Sequence, residues 1–260
     1  MSGSTPTPSR LYIHDDLTEP ARATGLPPVV ALADTLLAAV RREPHVTVLT
    51  ETEQVAGVLA AGARDPFATA IGIGRAGERV AGVLHARTGW FPSIVRVNVA
   101  REEDGRGMYV LAGPRPLAQQ VAALSLGRPL AVVDDTIFSG FTMRAVLDAL
   151  PRTVRDGLHV FCLRAVAESL RQFASVGTVV AGFAAPGRMP DEVSFINASG
   201  LVRRGAIRRV GAPPLAFFER EEWMHAWFPR HAAEITALCA RLTALLENAA
   251  MPSVARAPAV

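Results

Sequence analysis

Between residues 67 and 183, short apolar runs rich in β-branched and aromatic residues alternate with segments of helical periodicity. The apolar runs are Phe67–Ile73, Ser93–Ala100, Leu130–Val133, Leu158–Leu163 and Thr178–Phe183. The helix-like segments are Glu78–Arg87, Leu117–Leu124, Thr142–Leu150 and Ala165–Ala174. Strands this apolar are typical of parallel sheets that are covered on both faces. The pattern therefore predicts an α/β fold of three layers, with helices on both sides of a mostly parallel sheet.

A further strand is predicted at Met108–Ala112. Only the charged segment Arg101–Gly107 separates it from the preceding apolar run, which is too short for a parallel crossover. The two runs are therefore expected to form an antiparallel hairpin at one edge of the sheet.

The flanking regions have a different character. Residues 1–28 are rich in Pro, Ser and Thr and predict an extended arm, and 29–64 predict a helical lead-in to a core that ends at 186. Residues 187–230 break the strand–helix alternation and contain a cluster of aromatic residues, so that 187–248 is expected to form a hood or cap ending in an amphipathic helix. Residues 249–260 are expected to be a tail.

Composition narrows the class of protein. All 27 basic residues are arginine, which excludes chemistry that needs a lysine nucleophile. Cys162 and Cys239 alone make neither a disulfide framework nor a metal site. The sequence shows no apolar stretch long enough to span a membrane and no apolar leader, so we expect a cytoplasmic protein. The net charge of +3 is small for 260 residues and does not favour nucleic acid as a partner.

The residues with the clearest chemical signal are Leu130–Met143, which read LAVVDDTIFSGFTM. A buried strand is predicted to end at the carboxylates Asp134 and Asp135, and a loop then opens a helix. Gly140 permits a tight turn, and amides at the helix N-terminus with the Ser139 and Thr142 hydroxyls can surround a phosphate. Carboxylates beside such a cup suit sugar hydroxyls or a bound Mg²⁺ better than the phosphate itself.

This motif resembles the PRPP-binding motif of the type I phosphoribosyltransferases. The resemblance implies that Asp134 and Asp135 hold the ribose hydroxyls and that Phe138, Ser139, Gly140, Phe141 and Thr142 bind the 5-phosphate. It also implies Mg²⁺, held mainly by PRPP and in contact through water with Asp134 or Asp135. An ordinary strand–turn–helix with a hydroxyl cap is the alternative.

The same family has a short pyrophosphate-binding loop after an early strand, and Gly74, Arg75, Ala76 and Gly77 occupy that place. Glycines allow close approach of an oxyanion, and an arginine offers a planar fork to phosphate oxygens. The GxGxxG spacing from Gly72 to Gly77 also leaves open an NAD-binding oxidoreductase, although no acidic residue ends the next strand.

A flexible catalytic loop is the third family feature, and the hairpin Arg101–Gly107 corresponds to it. Only Arg101 and Arg106 could supply its cation. A charged hairpin tip that is simply solvated is the alternative reading.

The acceptor is less well defined. Enzymes of this family that act on 6-oxopurines have an aspartate at the position of Phe138, so such purines are not expected here. Phe138 could wall the acceptor pocket or fill the core, and Phe217, Phe218 and Trp223 could stack on a flat heterocycle or pack the terminal helix.

The sequence therefore predicts a Mg²⁺-dependent enzyme that transfers phosphoribosyl from PRPP to a nitrogen of a small-molecule acceptor and releases pyrophosphate. A PRPP-sensing regulator that binds nucleic acid or a protein is the main alternative, supported by the arginines between Arg203 and Arg209. A transferase or phosphorylase for another phosphorylated sugar is a further one. The acceptor and the pathway are left undetermined, and a homodimer is left open.

Overall fold

The computed structural model describes residues 7–61, 66–104, 108–189 and 192–250. The strands are β1 (Arg10–Asp15), β2 (Val46–Thr50), β3 (Thr69–Ile73), β4 (Ile94–Val97), β5 (Ala100–Glu103), β6 (Tyr109–Ala112), β7 (Leu130–Ile137), β8 (His159–Val166), β9 (Thr178–Ala185), β10 (Val193–Asn197), β11 (Ile207–Arg209) and β12 (Ala212–Leu215). The helices are α1 (Thr18–Ala23), α2 (Pro27–Val40), α3 (Glu51–Ala61), α4 (Gly74–Thr88), α5 (Leu117–Ala122), α6 (Phe141–Ala149), α7 (Ala167–Leu170), α8 (Ala198–Val202), α9 (Glu221–Trp227) and α10 (Ala232–Ala250).

The chain divides into two compact units. The larger unit comprises Leu49–Phe195 and Arg208–Pro213. Its main sheet has five strands in the order β4-β3-β7-β8-β9, and every neighbouring pair is parallel. This arrangement confirms the predicted α/β class with a mostly parallel sheet, and it places β7 at the centre.

Alternation along β7 shows why the sheet is covered on both faces. Leu130 and Val132 belong to a core cluster that includes residues of α5 and α6, whereas Ala131 and Val133 belong to a cluster with residues of α3 and α4. Successive residues of a strand point to opposite faces, so an all-apolar strand requires helices on both. The three-layer arrangement follows from this pattern.

The expected hairpin forms, but in a different sheet. β5 pairs antiparallel with β6, as predicted for Met108–Ala112. These strands lie with β11 and β12 in a four-stranded sheet of order β12-β11-β5-β6, and not at an edge of the parallel sheet. The reason lies at Asn98, whose backbone N–H donates to Gln120 Oε1 (2.7 Å) and whose carbonyl accepts from Gln120 Nε2 (3.0 Å). Gln120 thus occupies the backbone N–H and carbonyl of Asn98, between the end of β4 and the start of β5 and inside the predicted run Ser93–Ala100.

The smaller unit comprises the chain up to Val48, Ile196–Ile207 and the chain from Pro214. Residues 1–28 differ from the expected extended arm, since they contain β1 and α1, and Leu11, Ile13 and Leu17 are fully buried. β1 lies between β10 and β2 in a three-stranded sheet. Apolar faces of α2 and α10 complete the core of this unit. Among the described residues, no helix combines the length and the apolarity that a membrane crossing requires.

Candidate functional site

The carboxyl end of β7 carries the residues that the sequence singled out. β7 continues past Val133 to Ile137, so that Asp134 and Asp135 lie within the strand. In the parallel ladder Asp134 is opposite Cys162, and Thr136 is opposite Arg164. Ligands of open α/β sheets bind beyond the carboxyl ends of the strands. Both carboxylates therefore lie at the edge of the sheet where a ligand is expected.

The loop after β7 turns at Gly140. Its φ of 75° is left-handed, a conformation that glycine adopts without a steric penalty, and α6 begins at the next residue. A Cβ at this position would lie 2.8 Å from Cζ of Phe173. Gly140 is therefore required both by its backbone conformation and by the ring beneath it.

Polar side chains brace this loop from the segment after β8. Ser169 Oγ donates to the carbonyl of Phe138 (2.5 Å), and Gln172 Nε2 donates to the carbonyl of Ser139 (3.1 Å). The intrahelical ladder of α6 opens with Arg144 N donating to the carbonyl of Gly140 (2.8 Å). The amides of Thr142 and Met143 precede that bond, and such first-turn amides have no partner within their own helix. Two hydrogen bonds thus hold the backbone of the loop to the segment after β8.

Asp134 is a buried carboxylate that accepts a hydrogen bond from the backbone of its own strand. Its side chain is 8% exposed, and its Oδ1 accepts a hydrogen bond from the backbone N–H of Asp135 (2.8 Å). Burial raises the pKa of Asp134 well above its usual range, and the neighbouring charge of Asp135 raises it further. The Asp135 amide and the positive charge of Arg101 act on this pKa in the opposite direction. Asp134 therefore favours its protonated form more than an exposed aspartate does.

Asp135 has a charged partner that the sequence analysis did not identify. Nη2 of Arg164, in β8, lies 3.0 Å from Asp135 Oδ2, and Arg164 is fully buried. The sequence signal for this partner is Arg164 itself, a single charged residue between the apolar Leu163 and Ala165 in the strand next to the acidic pair. Arg164 lies between the predicted strand Leu158–Leu163 and the predicted helix Ala165–Ala174, so the local pattern gives it no role.

The expected pyrophosphate loop is the first turn of a helix. α4 begins at Gly74, directly after β3, and not at Glu78. Gly74 has a φ of 61°, Arg75 is exposed, and a Cβ at Gly77 would lie 2.3 Å from the carbonyl oxygen of Val133. A Cβ at Gly72 would lie 2.4 Å from the backbone N of Glu78. Close packing of α4 on β3 and β7 thus explains the GxGxxG spacing, while Gly74, Arg75, Ala76 and Gly77 still lie at a helix N-terminus.

The hairpin carries one described arginine of the two predicted. Arg101, in β5, is paired with Leu111 in the ladder, and its guanidinium lies 5.9 Å from the centre of the Tyr109 ring. Arg101 is also close enough to Asp134 to influence its pKa. Arg106 lies outside the described residues.

Three half-buried phenylalanines lie along the same part of the larger unit. The ring centres of Phe138 and Phe195 are 6.5 Å apart, and those of Phe183 and Phe195 are 6.3 Å apart, both edge-to-face. Phe138 follows β7, Phe183 lies in β9 opposite Arg164, and Phe195 lies in β10. Phe138 therefore extends an aromatic surface next to the loop, whereas Phe141 is exposed on the first turn of α6.

The other aromatic residues proposed for the acceptor pack in the core of the smaller unit. Phe217, Trp223 and Trp227 contact one another with ring centres 5.2–5.9 Å apart. Phe218 is partly buried against the same core. This packing accounts for Phe217, Phe218 and Trp223 without a ligand.

The arginines between Arg203 and Arg209 are partly used within the protein. Arg204 forms ion pairs with Glu219 and Glu247, and Arg209 donates twice to the carbonyl of Pro213. These contacts weaken the case for a basic surface that binds nucleic acid.

No family model and no curated protein matches this chain. Among solved structures, the chain is similar to a hypothetical protein from Neisseria gonorrhoeae with bound ppGpp (19% identity, TM-score 0.41, covering 56% of this chain and 82% of that one). It is also similar to a purine phosphoribosyltransferase from Pyrococcus horikoshii (17%, TM-score 0.34, 71% and 91%). A third similar structure is the xanthine-guanine-hypoxanthine phosphoribosyltransferase of Helicobacter pylori (14%, TM-score 0.32, 71% and 92%). Likenesses at this level do not identify a function.

Proposed function

We propose that this protein transfers the 5-phosphoribosyl group of PRPP to a nitrogen atom of a small-molecule acceptor and releases pyrophosphate. The observation that carries the proposal is the junction of β7 and α6. Two carboxylates lie in the last four residues of a central parallel strand there, and a loop with a left-handed Gly140 leads directly into a helix N-terminus. One end of this junction suits a phosphate dianion, and the other suits hydroxyl groups.

In this proposal the loop Phe138–Thr142 holds the 5-phosphate through first-turn amides and through the Ser139 and Thr142 hydroxyls. Asp135 accepts hydrogen bonds from ribose hydroxyls, and burial raises the pKa of Asp134, which disfavours a second negative charge beside the phosphates.

The chemistry is a substitution at C1 of the ribose. The nitrogen lone pair forms the new C1–N bond, the C1–O bond to pyrophosphate breaks with its electron pair, and the nitrogen then loses a proton to solvent. Positive charge develops on the ring, as in glycoside cleavage. Arg75 with the first turn of α4, and Arg101 and Arg106 of the hairpin, stabilise the charge on the departing pyrophosphate.

The carboxylates fit a Mg²⁺ ion that arrives with PRPP better than a resident one. Among the described residues, no group of three or more His, Cys, Asp or Glu side chains is arranged to hold a metal. Asp135 is already paired with Arg164, and Asp134 is buried. Either carboxylate would reach such an ion through water, and the ion would supply charge neutralisation for the pyrophosphate.

The acceptor proposed for this site is flat and aromatic and is not a 6-oxopurine. Phe138 offers no group that accepts a proton, and Phe195 and Phe183 continue its aromatic surface. Edge and face contacts of such rings favour planar heterocycles. We therefore assign Phe183 and Phe195 to the acceptor side of the site, and no longer Phe217, Phe218 and Trp223.

The direct test is to mix the protein with PRPP, Mg²⁺ and a panel of nitrogen heterocycles and to measure pyrophosphate release, together with PRPP binding by calorimetry. Wild type should bind PRPP, and Thr142→Val should bind it at least about tenfold more weakly, because a hydrogen bond to a charged group is lost. Thr35→Val, which removes an exposed hydroxyl of α2, is the matched control and should bind as wild type does. Wild type that binds no PRPP would overturn the proposal.

A further inference from the structure

We propose that Arg164 is a positioning residue for the sugar phosphate: it fixes the Asp135 carboxylate at the end of β7 and offsets its charge, so that this carboxylate accepts hydrogen bonds from ribose hydroxyls. The inference rests on the proposed function, because it assumes that a ribosyl phosphate occupies the site. In this proposal Arg164 acts through Asp135 and does not itself contact the ligand.

Part of the Asp135 carboxylate remains accessible beside Arg164. Arg164 Nη2 lies 3.0 Å from Asp135 Oδ2, and Arg164 is fully buried. The Asp135 side chain is 18% exposed, so part of it remains accessible. An ionised carboxylate can accept about four hydrogen bonds. The arginine therefore contacts one oxygen of the group while the side chain stays partly accessible.

Arg164 is itself fixed by its surroundings. Its Nη1 lies 3.4 Å from Oε1 of Gln54 in α3, and Gln54 Nε2 donates to the carbonyl of Thr50 (2.8 Å). In the sheet, Arg164 lies between Thr136 of β7 and Phe183 of β9. The fork of a guanidinium, held on two sides, sets the direction of a carboxylate in a way that a flexible ammonium does not.

The charge of the pair explains its place beside a phosphate cup. PRPP carries several negative charges, and a bare carboxylate near them would weaken binding by repulsion. Pairing with Arg164 offsets part of this repulsion while the carboxylate remains partly accessible. A buried ion pair is in general no more stabilising than apolar residues of similar size, so stability alone does not account for its presence here.

The experiment compares two probes, ribose 5-phosphate and inorganic phosphate, by calorimetry on wild type, Arg164→Lys and Arg164→Met. Inorganic phosphate reports on the loop Phe138–Thr142 alone, whereas ribose 5-phosphate also reports on Asp135. We expect both variants to bind ribose 5-phosphate about 10–100-fold more weakly, the usual cost of losing a group that orients a ligand-binding side chain. Phosphate affinity should stay within about twofold, since the loop contacts do not involve Arg164.

Arg155→Lys is the matched control, because Arg155 is a structural arginine that donates to the carbonyls of Leu150 and Asp148. It should leave the affinity for both probes unchanged. In an Asp135→Asn background, Arg164→Lys should cause no further loss of ribose 5-phosphate affinity, because the carboxylate through which Arg164 acts is already gone.

Two results would overturn the proposal. Unchanged ribose 5-phosphate affinity in folded Arg164 variants excludes positioning, and equal losses for both probes indicate a structural role. If Arg164→Met does not fold, the ribose 5-phosphate affinity of Arg164→Lys tests the proposal, since this variant keeps a positive charge at the buried position. Wild type that binds phosphate but neither ribose 5-phosphate nor PRPP contradicts the proposed function instead, and this result is distinguishable because it needs no variant.

Discussion

Asp134 and Asp135 are adjacent in the chain, and the backbone N–H of Asp135 donates to the Asp134 carboxylate over 2.8 Å while the Asp135 carboxylate is held by Arg164. Adjacent residues of a strand point to opposite faces, so the two carboxylates have different surroundings. Asp134 is buried and has Arg101 close enough to influence its pKa, whereas Asp135 has the fully buried Arg164 as its partner. The two members of the acidic pair therefore have different charged neighbours.

Asp134→Asn should change the pH dependence of stability. Because the pKa of Asp134 is raised in the folded state, that state binds the proton more tightly than the unfolded chain does. Its contribution to stability is full below the unfolded-state pKa and is lost as the pH rises through the folded-state pKa. Asparagine keeps the acceptor for the Asp135 amide but does not titrate. Urea unfolding of both proteins from pH 4 to 9 should show the variant gaining on wild type as the pH rises. A difference that does not vary with pH would contradict this expectation.

Gly140→Ala should destabilise the protein more than a substitution at another left-handed glycine. Gly157 has a similar φ of 70° with nothing within 4 Å of its Cβ position, whereas a Cβ at Gly140 would meet the Phe173 ring at 2.8 Å. Gly157→Ala should cost about 1 kcal/mol from backbone conformation alone. Gly140→Ala should cost a further 1–3 kcal/mol, roughly the penalty of overpacking. Chemical denaturation measures both, and equal losses would show that Phe173 moves aside freely.

Two glycines within α4 should respond to alanine in opposite directions. A Cβ at Gly82 would have nothing within 4 Å, so Gly82→Ala should stabilise the protein by about 0.5–1 kcal/mol through helix propensity. Gly77→Ala should destabilise it by about 1–3 kcal/mol, because the methyl group would lie 2.3 Å from the Val133 carbonyl oxygen. Thermal unfolding of the two variants tests this contrast. A stabilising Gly77→Ala would mean that α4 is not packed closely on β7.

The parallel sheet and the loop after β7 could be predicted from sequence because their signals are local. Apolar strands fall at regular intervals, and Asp134, Asp135 and Gly140 are close together in the chain. Arg164 could not be assigned in this way, since its partner Asp135 is 29 positions away in the chain and is met only through the register of β7 and β8. The pairing of β8 with β7 determines the contact between Arg164 and Asp135, and no local sequence pattern predicts it.

The first 28 residues and the hairpin show a different limit. The Pro, Ser and Thr residues near the N-terminus predict an extended arm, although the buried strand β1 forms there. Burial of β1 depends on α2, α10 and the strands beside it. The break between β4 and β5 depends on the side chain of Gln120, which is distant in sequence from Asn98. In both cases tertiary contacts override the local composition.

The hairpin arginines distinguish an enzyme from a PRPP sensor. An enzyme needs interactions that strengthen as pyrophosphate departs, so their loss lowers the rate more than the affinity. Arg101 is close enough to Asp134 to influence its pKa. Arg101→Ala should reduce turnover at least roughly a hundredfold, with much less change in PRPP binding. Arg106→Ala is expected to behave in the same way, whereas Arg75→Ala should weaken both, since its helix N-terminus would already hold pyrophosphate in the ground state.

Arg87→Ala is the matched control, because it removes one exposed arginine near the C-terminal end of α4. It should leave both turnover and PRPP binding unchanged. If Arg101→Ala and Arg106→Ala keep full activity, the catalytic loop lies elsewhere. If wild type binds PRPP with Mg²⁺ yet releases no pyrophosphate with any heterocycle, the hairpin has no leaving group to stabilise, and a sensor becomes the better description. In that case the affinity of Arg101→Ala for PRPP should equal that of wild type, because a sensor gains nothing from a cation placed for the transition state.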